Sequence, residues 1–198
     1  LVSAVKTMPR SRNFFKAVTS APRGCLNVIA EVKKASPSAG AICREFDPAG
    51  IARIYERCGA AAVSVLTEQD YFEGSLDDLS TVSASVRIPV LRKDFIIDPW
   101  QIYQSRAAGA DAILLIAEAL SLSQISDLMI LAGELTLTVL LEVHDVDKLL
   151  EVRSMIGFPK VGYSILGINN RNLKTMEVDI NTTLRLAALV GEDMPIVS

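Results

Sequence analysis

Several stretches of this chain place acids and ammonium groups where an apolar run stops. Glu31 and Lys33 follow Val28-Ile29-Ala30, and Arg92-Lys93-Asp94 follow Pro89-Val90-Leu91. Glu68 lies just past Val65-Leu66, Glu142 and His144 follow Leu140-Leu141, and Asn169-Asn170-Arg171 follow Leu166-Gly167-Ile168. A Lys or Glu withdrawn from water is costly without partners. Several gathered in one low-dielectric place shift one another's pKa values and supply proton donors and acceptors near neutral pH. The chemistry on offer is general acid–base work with ammonium acids and carboxylate bases.

Such groups act together only if they point the same way. In a strand, residues two apart share a face. If Ile29 faces inward, so do Glu31 and Lys33; Leu91 carries Lys93 with it, Leu140 carries Glu142 and His144, and Asn169 shares its face with Arg171. Lys34 and Arg92 have the opposite parity and read as outward structural or surface groups. Glu68 reads equally as a mouth residue or a helix-capping acid. His144 reads first as a packed, hydrogen-bonded residue and second as a catalytic one. Glu142, His144 and Asp145 form a weak metal-site alternative without a second ligand cluster. Ser36 and Ser38, flanking Pro37, suit phosphate or carboxylate contact by hydroxyl and backbone N–H, and no nucleophile-elbow motif surrounds either. Trp100 and Tyr103 are expected to serve packing.

The elements that would position these groups are short apolar runs rich in β-branched residues, at 27–32, 61–66, 89–94, 112–116, 137–143, 164–168 and 195–197. Helical patterns lie between them at 49–58, 99–108, 122–131, 145–156 and 180–190. Asp47-Pro48 and Asp98-Pro99 are N-cap and first-turn pairs, Ser121 and Asp145 are further caps, and Gly109 marks a helix end. Glycine precedes the next strand in Cys58-Gly59-Ala60, Ala108-Gly109-Ala110 and Ile156-Gly157-Phe158, a weak structural repeat. Alternating strands and helices, with strands apolar almost throughout, predict an α/β fold with a parallel sheet covered by helices. Two architectures satisfy this: a doubly wound open sheet, or a (β/α)8 TIM barrel truncated before completion of strands 7 and 8. Such barrels run to about 250 residues. Neither a G-x-G-x-x-G after a strand nor a P-loop is present, which removes the usual signs of a nucleotide fold.

The chain has 198 residues, half of them hydrophobic, and a net charge of -3. That suits one domain with a substantial core, with a helical segment over about 1–26 and the barrel from about 27. The acidic balance and the lack of a basic run argue against nucleic acid. The longest apolar stretch, 112–117, is too short for a bilayer, and no signal peptide is visible. Both ends read as cut. Cys25, Cys43 and Cys58 are odd in number and scattered, which suits a reducing compartment. His144 is the single histidine, so a histidine-based metal cluster is excluded.

The stretches "VIAEVKKASPSAG", "AAAVSVLTEQDYFEGS", "PVLRKDFIIDPWQIYQSRAAGADAILLIAE", "LLEVHD" and "GINNRNLKTMEVD" together resemble the indole-3-glycerol-phosphate synthase family, in order from about Arg12 to Ser198. The resemblance implies a (β/α)8 barrel with an N-terminal helical segment and no metal or organic cofactor. It implies a carboxy-lyase of tryptophan biosynthesis, acting on the phosphorylated anthranilate–ribulose compound 1-(2-carboxyphenylamino)-1-deoxyribulose 5-phosphate. By the same resemblance Lys93 is the general acid for ring closure, and Glu142 assists the later dehydration or stabilises charge. Glu31 and Lys33 form an acid–base and substrate-binding pair, and Asn169 and Arg171 hold substrate hydroxyls. Phe95 and Leu173 line the anthranilate pocket, and Ser36 touches substrate. No nucleic-acid or membrane partner is expected, and fusion or association with other tryptophan-pathway enzymes is compatible with it. The expected location is the cytoplasm, or the plastid stroma in a photosynthetic eukaryote. The Glu-Ser-Gly stretch that follows the seventh strand in this family does not appear before Ser198, and "MIGFPKVGYSILGINN" is an unusual approach to the sixth strand. Two other readings remain: a Schiff-base aldolase with Lys93 as nucleophile, and an inactive chain with an unfinished phosphate site.

Overall fold

The computed structural model describes residues 1–20, 25–37, 39–43, 45–155, 162–171, 175, 177–190 and 194–198. Seven strands among them form one parallel sheet: β1 (Ile29–Val32), β4 (Ala62–Leu66), β5 (Val90–Lys93), β6 (Ala112–Ile116), β7 (Thr138–Val143), β8 (Ser164–Ile168) and β9 (Ile196–Val197). Each strand lies beside the next one in sequence. A doubly wound sheet reverses its strand order at a switch point. This sheet does not reverse, and its order is that of a barrel wall. The two-stranded hairpin of β2 (Ala35–Ser36) and β3 (Gly40–Ala41) stands apart, in the loop after β1.

Helices cover the outer face: α3 (Pro48–Arg57), α4 (Leu76–Ser85), α5 (Pro99–Ala107), α6 (Leu122–Glu134), α7 (Val146–Arg153) and α8 (Asn181–Val190). Their starts follow local chemistry. Asp47, Ser75, Asp98, Ser121 and Asp145 each accept a backbone N–H from the first turn, and Asp98 and Ser121 complete capping boxes with Gln101 and Gln124. Gly109, after α5, takes φ +88°, which a side chain rarely adopts. The capping signals in the sequence are borne out. Helix α4 is an addition, because its Asp/Ser/Thr-rich sequence hides the spacing of buried Leu79 and Val82. Trp100 departs from expectation: on the first turn of α5 it is 50% exposed, whereas Tyr103 packs against the core. Ser38 and the 156–158 glycine phrase lie outside the described residues.

Period-two alternation divides the strands into two apolar layers. Val63, Val65, Ile113, Leu115, Val139, Leu141 and Leu166 pack outward under the helices. Ala62, Leu91, Ala112, Leu114, Leu140 and Ile165 pack inward, with Ile29 and Val197 beside them. The N-terminal helices are α1 (Val2–Lys6) and α2 (Phe14–Thr19). Phe14 of α2 is fully buried in the inward layer, and Phe15 and Val18 lie against it. Arg12, just ahead, pins this segment in place. Its Nε donates to Asp111 Oδ2 (2.6 Å), its backbone N to Asp111 Oδ1 (2.7 Å), and its guanidinium to Val86 O (2.9 Å) and Ser83 Oγ (2.7 Å).

Candidate active site

The inward alternation continues past the apolar layer and ends in polar groups. Ile29 is followed on the same face by Glu31 and Lys33, Leu91 by Lys93, Leu140 by Glu142, and Ile165 by Gly167 and Asn169. Glu31, Lys33, Ser36, Lys93, Phe95, Glu142, Asn169 and Arg171 all line one cavity of about 310 Å³ at the carboxyl ends of the strands. Leu173 lies outside the described residues. A side chain at Gly167 would press on Leu140 and on the Glu142 backbone at 3.3–3.4 Å, so glycine keeps the space beside Glu142 open.

Glu31 is the electrostatic centre. Lys33 Nζ donates to its Oε1 and Lys93 Nζ to its Oε2, each at 2.5 Å. Burial alone would push the Glu31 carboxyl up, but the charges and hydrogen bonds of Lys93 and Lys33 outweigh it and hold the pKa below its ordinary value. Across the cavity, Asn169 Nδ2 donates to Glu142 Oε1 (3.0 Å), and Asn169 Oδ1 accepts the Arg171 backbone N–H (2.9 Å).

Neighbouring groups brace these side chains. Arg92 is 4% exposed and faces outward, as its parity requires. It donates to Asp94 Oδ2 (2.8 Å), Thr67 Oγ1 (2.9 Å) and Ser105 Oγ (3.1 Å), a buried cluster directly behind Lys93. It is therefore structural and not a surface group. Lys34 pairs with Glu73 at 3.0 Å on the outside. Glu68 lines the cavity while its carboxylate accepts the N–H groups of Asp70, Tyr71 and Phe72, so it caps a turn and not a helix. The His144 side chain is largely covered, as expected for a packed histidine, and its Nδ1 meets Glu118 Oε2 at 2.8 Å. Asp145 is spent on capping α7, and among the described residues Glu142, His144 and Asp145 do not group as metal ligands.

The family model described as indole-3-glycerol phosphate synthase matches residues 1–198. The chain belongs to the indole-3-glycerol phosphate synthase family. The synthase of Chlorobium chlorochromatii is 48% identical over 183 residues, covering 92% of this chain and 69% of that protein. The synthase of Rhodopirellula baltica is 45% identical over 197 residues, covering 100% of this chain and 73% of that protein. Among solved structures, Rhizobium etli pyruvate carboxylase is similar at TM-score 0.58 and 10% identity, over 98% of this chain and 22% of that one. Ruminococcus gnavus sialic acid aldolase is similar at TM-score 0.53 and 13% identity, over 86% of this chain and 60% of that one. At such identities the two structures speak for fold alone.

In this synthase-family chain the cavity also holds groups that sequence reasoning passed over. Leu66, Phe72, Leu114, Ile116 and Pro37 give it an apolar wall beside Phe95. Leu114 and Ile116 carry the same inward parity as the charged residues, but an apolar strand end looks like ordinary core. Glu118 lies just past that strand end, in the 3-10 turn Ala117–Ala119. Its partnership with His144, 26 positions away, has no local signal.

Proposed function

We propose that this cavity carries out the decarboxylating, dehydrating ring closure of 1-(2-carboxyphenylamino)-1-deoxyribulose 5-phosphate to indole-3-glycerol phosphate, carbon dioxide and water. The observation that carries the reading is the ion triad Lys33–Glu31–Lys93, facing Glu142 and Asn169 across a cavity with one apolar wall. The apolar wall, with Phe95 and Leu173, takes the anthranilate ring. Lys93 protonates the ketone oxygen as the carboxyl-bearing ring carbon bonds to the ketone carbon. Loss of carbon dioxide restores the aromatic ring. The new hydroxyl then leaves as water, with Lys33 supplying its proton, and Glu142 accepts the proton from the adjacent carbon. Glu31 sits between the two ammonium groups and fixes their positions. Asn169 and Arg171 hold substrate hydroxyls, and Ser36 contacts substrate.

In this reading residues 1–198 are one domain, a helical segment over 1–26 followed by the barrel. The chain spans 69% and 73% of the two relatives described above, which supports a reading in which a longer protein completes the barrel and the phosphate site. The 198-residue chain alone then lacks turnover. The enzyme works in the cytoplasm, and fusion to or association with other tryptophan-pathway enzymes is compatible with this arrangement. Lys93 donates to a carboxylate, which suits an acid better than an imine-forming nucleophile. Borohydride added with substrate should leave Lys93 unlabelled, and labelling would overturn the acid assignment. Turnover of the full-length protein should disappear in Lys93→Ala, and near-normal indole-3-glycerol phosphate formation would sink the reading.

A further inference from the structure

His144 lies against Glu142 and has two carboxylates around its ring. Its Nδ1 is 2.8 Å from Glu118 Oε2, and its backbone N–H donates to Glu118 Oε1 at 2.8 Å. A ring nitrogen held by a carboxylate is the protonated one, so Nδ1 carries hydrogen. Nε2 is buried without a formed hydrogen bond, and Glu142 Oε1 faces it at 3.3 Å. With Nδ1 committed, a neutral ring would aim the Nε2 lone pair at an ionised carboxylate. Two acceptors buried face to face are unfavourable. One proton between them removes the conflict. The His144 side chain is only 6% exposed, so water does little to relieve it.

We infer that His144 is a positioning residue for Glu142: fixed by Glu118, it shares one proton with Glu142 across the Nε2–Oε1 gap and holds that carboxylate at the cavity wall. The inference rests on the proposed role of Glu142. Asn169 Nδ2 donates to the same Oε1, so His144 and Asn169 grip one oxygen and leave Oε2 for substrate. The charged groups around the ring are Glu118 from the turn after β6, Glu142 on β7 and Asp145 at the start of α7, all acidic. Burial opposes charging the ring, but the Glu118 hydrogen bond and these three acids outweigh it and raise the pKa. The shared proton is therefore held below the raised value and lost as pH climbs through it.

His144 is the only histidine of residues 1–198, and in the full-length enzyme its imidazole nitrogen NMR signal is assigned by its loss in His144→Gln. Its titration should lie above that of free histidine and fall in both Glu118→Gln and Glu142→Gln. In His144→Gln, kcat should drop about tenfold with KM nearly unchanged, and the alkaline limb of the kcat profile set by this proton should vanish. Glu118→Gln should keep that limb but move it to lower pH. A His144 titration identical in the native protein and both variants overturns the pairing. Coupling by NMR with a native kcat and pH profile in His144→Gln overturns the positioning role. Full turnover in Lys93→Ala with the NMR coupling intact would instead remove the proposed reaction and leave the pairing standing.

Discussion

Glu31 sits between two ammonium groups, and its ionisation follows from that placement. Removing the carboxylate leaves Lys33 and Lys93 facing each other unneutralised, which disfavours both being charged. Because the folded-state pKa of Glu31 is lowered, its contribution to stability is present above the ordinary carboxylate value and lost as pH falls through the lowered one. Denaturant unfolding of the full-length protein followed from about pH 6 to about pH 3 should show this loss, and Glu31→Gln should lack that part of the pH dependence. Its absence from the native curve would show the triad to be energetically idle. In the proposed reaction, Glu142→Gln should lower kcat by about 10² or more with a smaller change in KM, measured as indole-3-glycerol phosphate fluorescence. An equal loss in binding and turnover would place Glu142 in substrate binding instead. The inward set was legible at this scale because strand parity is strict: Ile29, Leu91 and Leu140 announce the faces of Glu31, Lys93 and Glu142. Glu118 was not legible, because its importance comes from a contact between two loops.

At the scale of elements, the seven parallel strands and five of the helices follow from apolar runs and caps. The hairpin of β2 and β3 escapes such reading because two-residue strands have no period. It is held by long-range ties: the Ala35 N–H donates to Phe72 O at 3.3 Å, and Lys34 pairs with Glu73. These join the loops after β1 and β4 into one wall of the cavity. Caps make testable element-level statements. Ser121→Ala removes the oxygen that receives Gln124 N–H and should cost about 1 kcal/mol of stability in urea unfolding, with no change in kcat. A negligible cost would mean that tertiary packing alone fixes the start of α6. The Arg12–Asp111 tie is a larger matter. Arg12→Ala leaves the Asp111 carboxylate, 3% exposed, without its guanidinium. Loss of one partner of a fully buried pair costs about 3–5 kcal/mol, and the partial exposure of Arg12 reduces this to about 2–3. A loss under about 0.5 kcal/mol would show that the Val90 N–H and water suffice for Asp111.

Across the whole molecule, one end of the curled sheet is chemical and the other is closed. The polar residues gather at the carboxyl ends of the strands, while α2 sets Phe14 into the inward layer that includes Ala62 and Ala112. Phe14→Ala should cost about 3–5 kcal/mol as a core truncation. That plug was not legible from the sequence, where 14–19 is a short apolar patch with no partner in view. The plug and its Arg12 anchor also have a consequence for biosynthesis. Arg12 bonds to a residue 99 positions later and Ser11 to one 125 positions later. At about 5–20 residues per second, the ribosome makes Phe14 and Phe15 roughly 5–20 s before Asp111 exists to anchor their segment. These two aromatic side chains thus wait for their seats until much of the sheet has been made. During that interval their apolar surface has no seat in the nascent chain and stays open to non-native contacts.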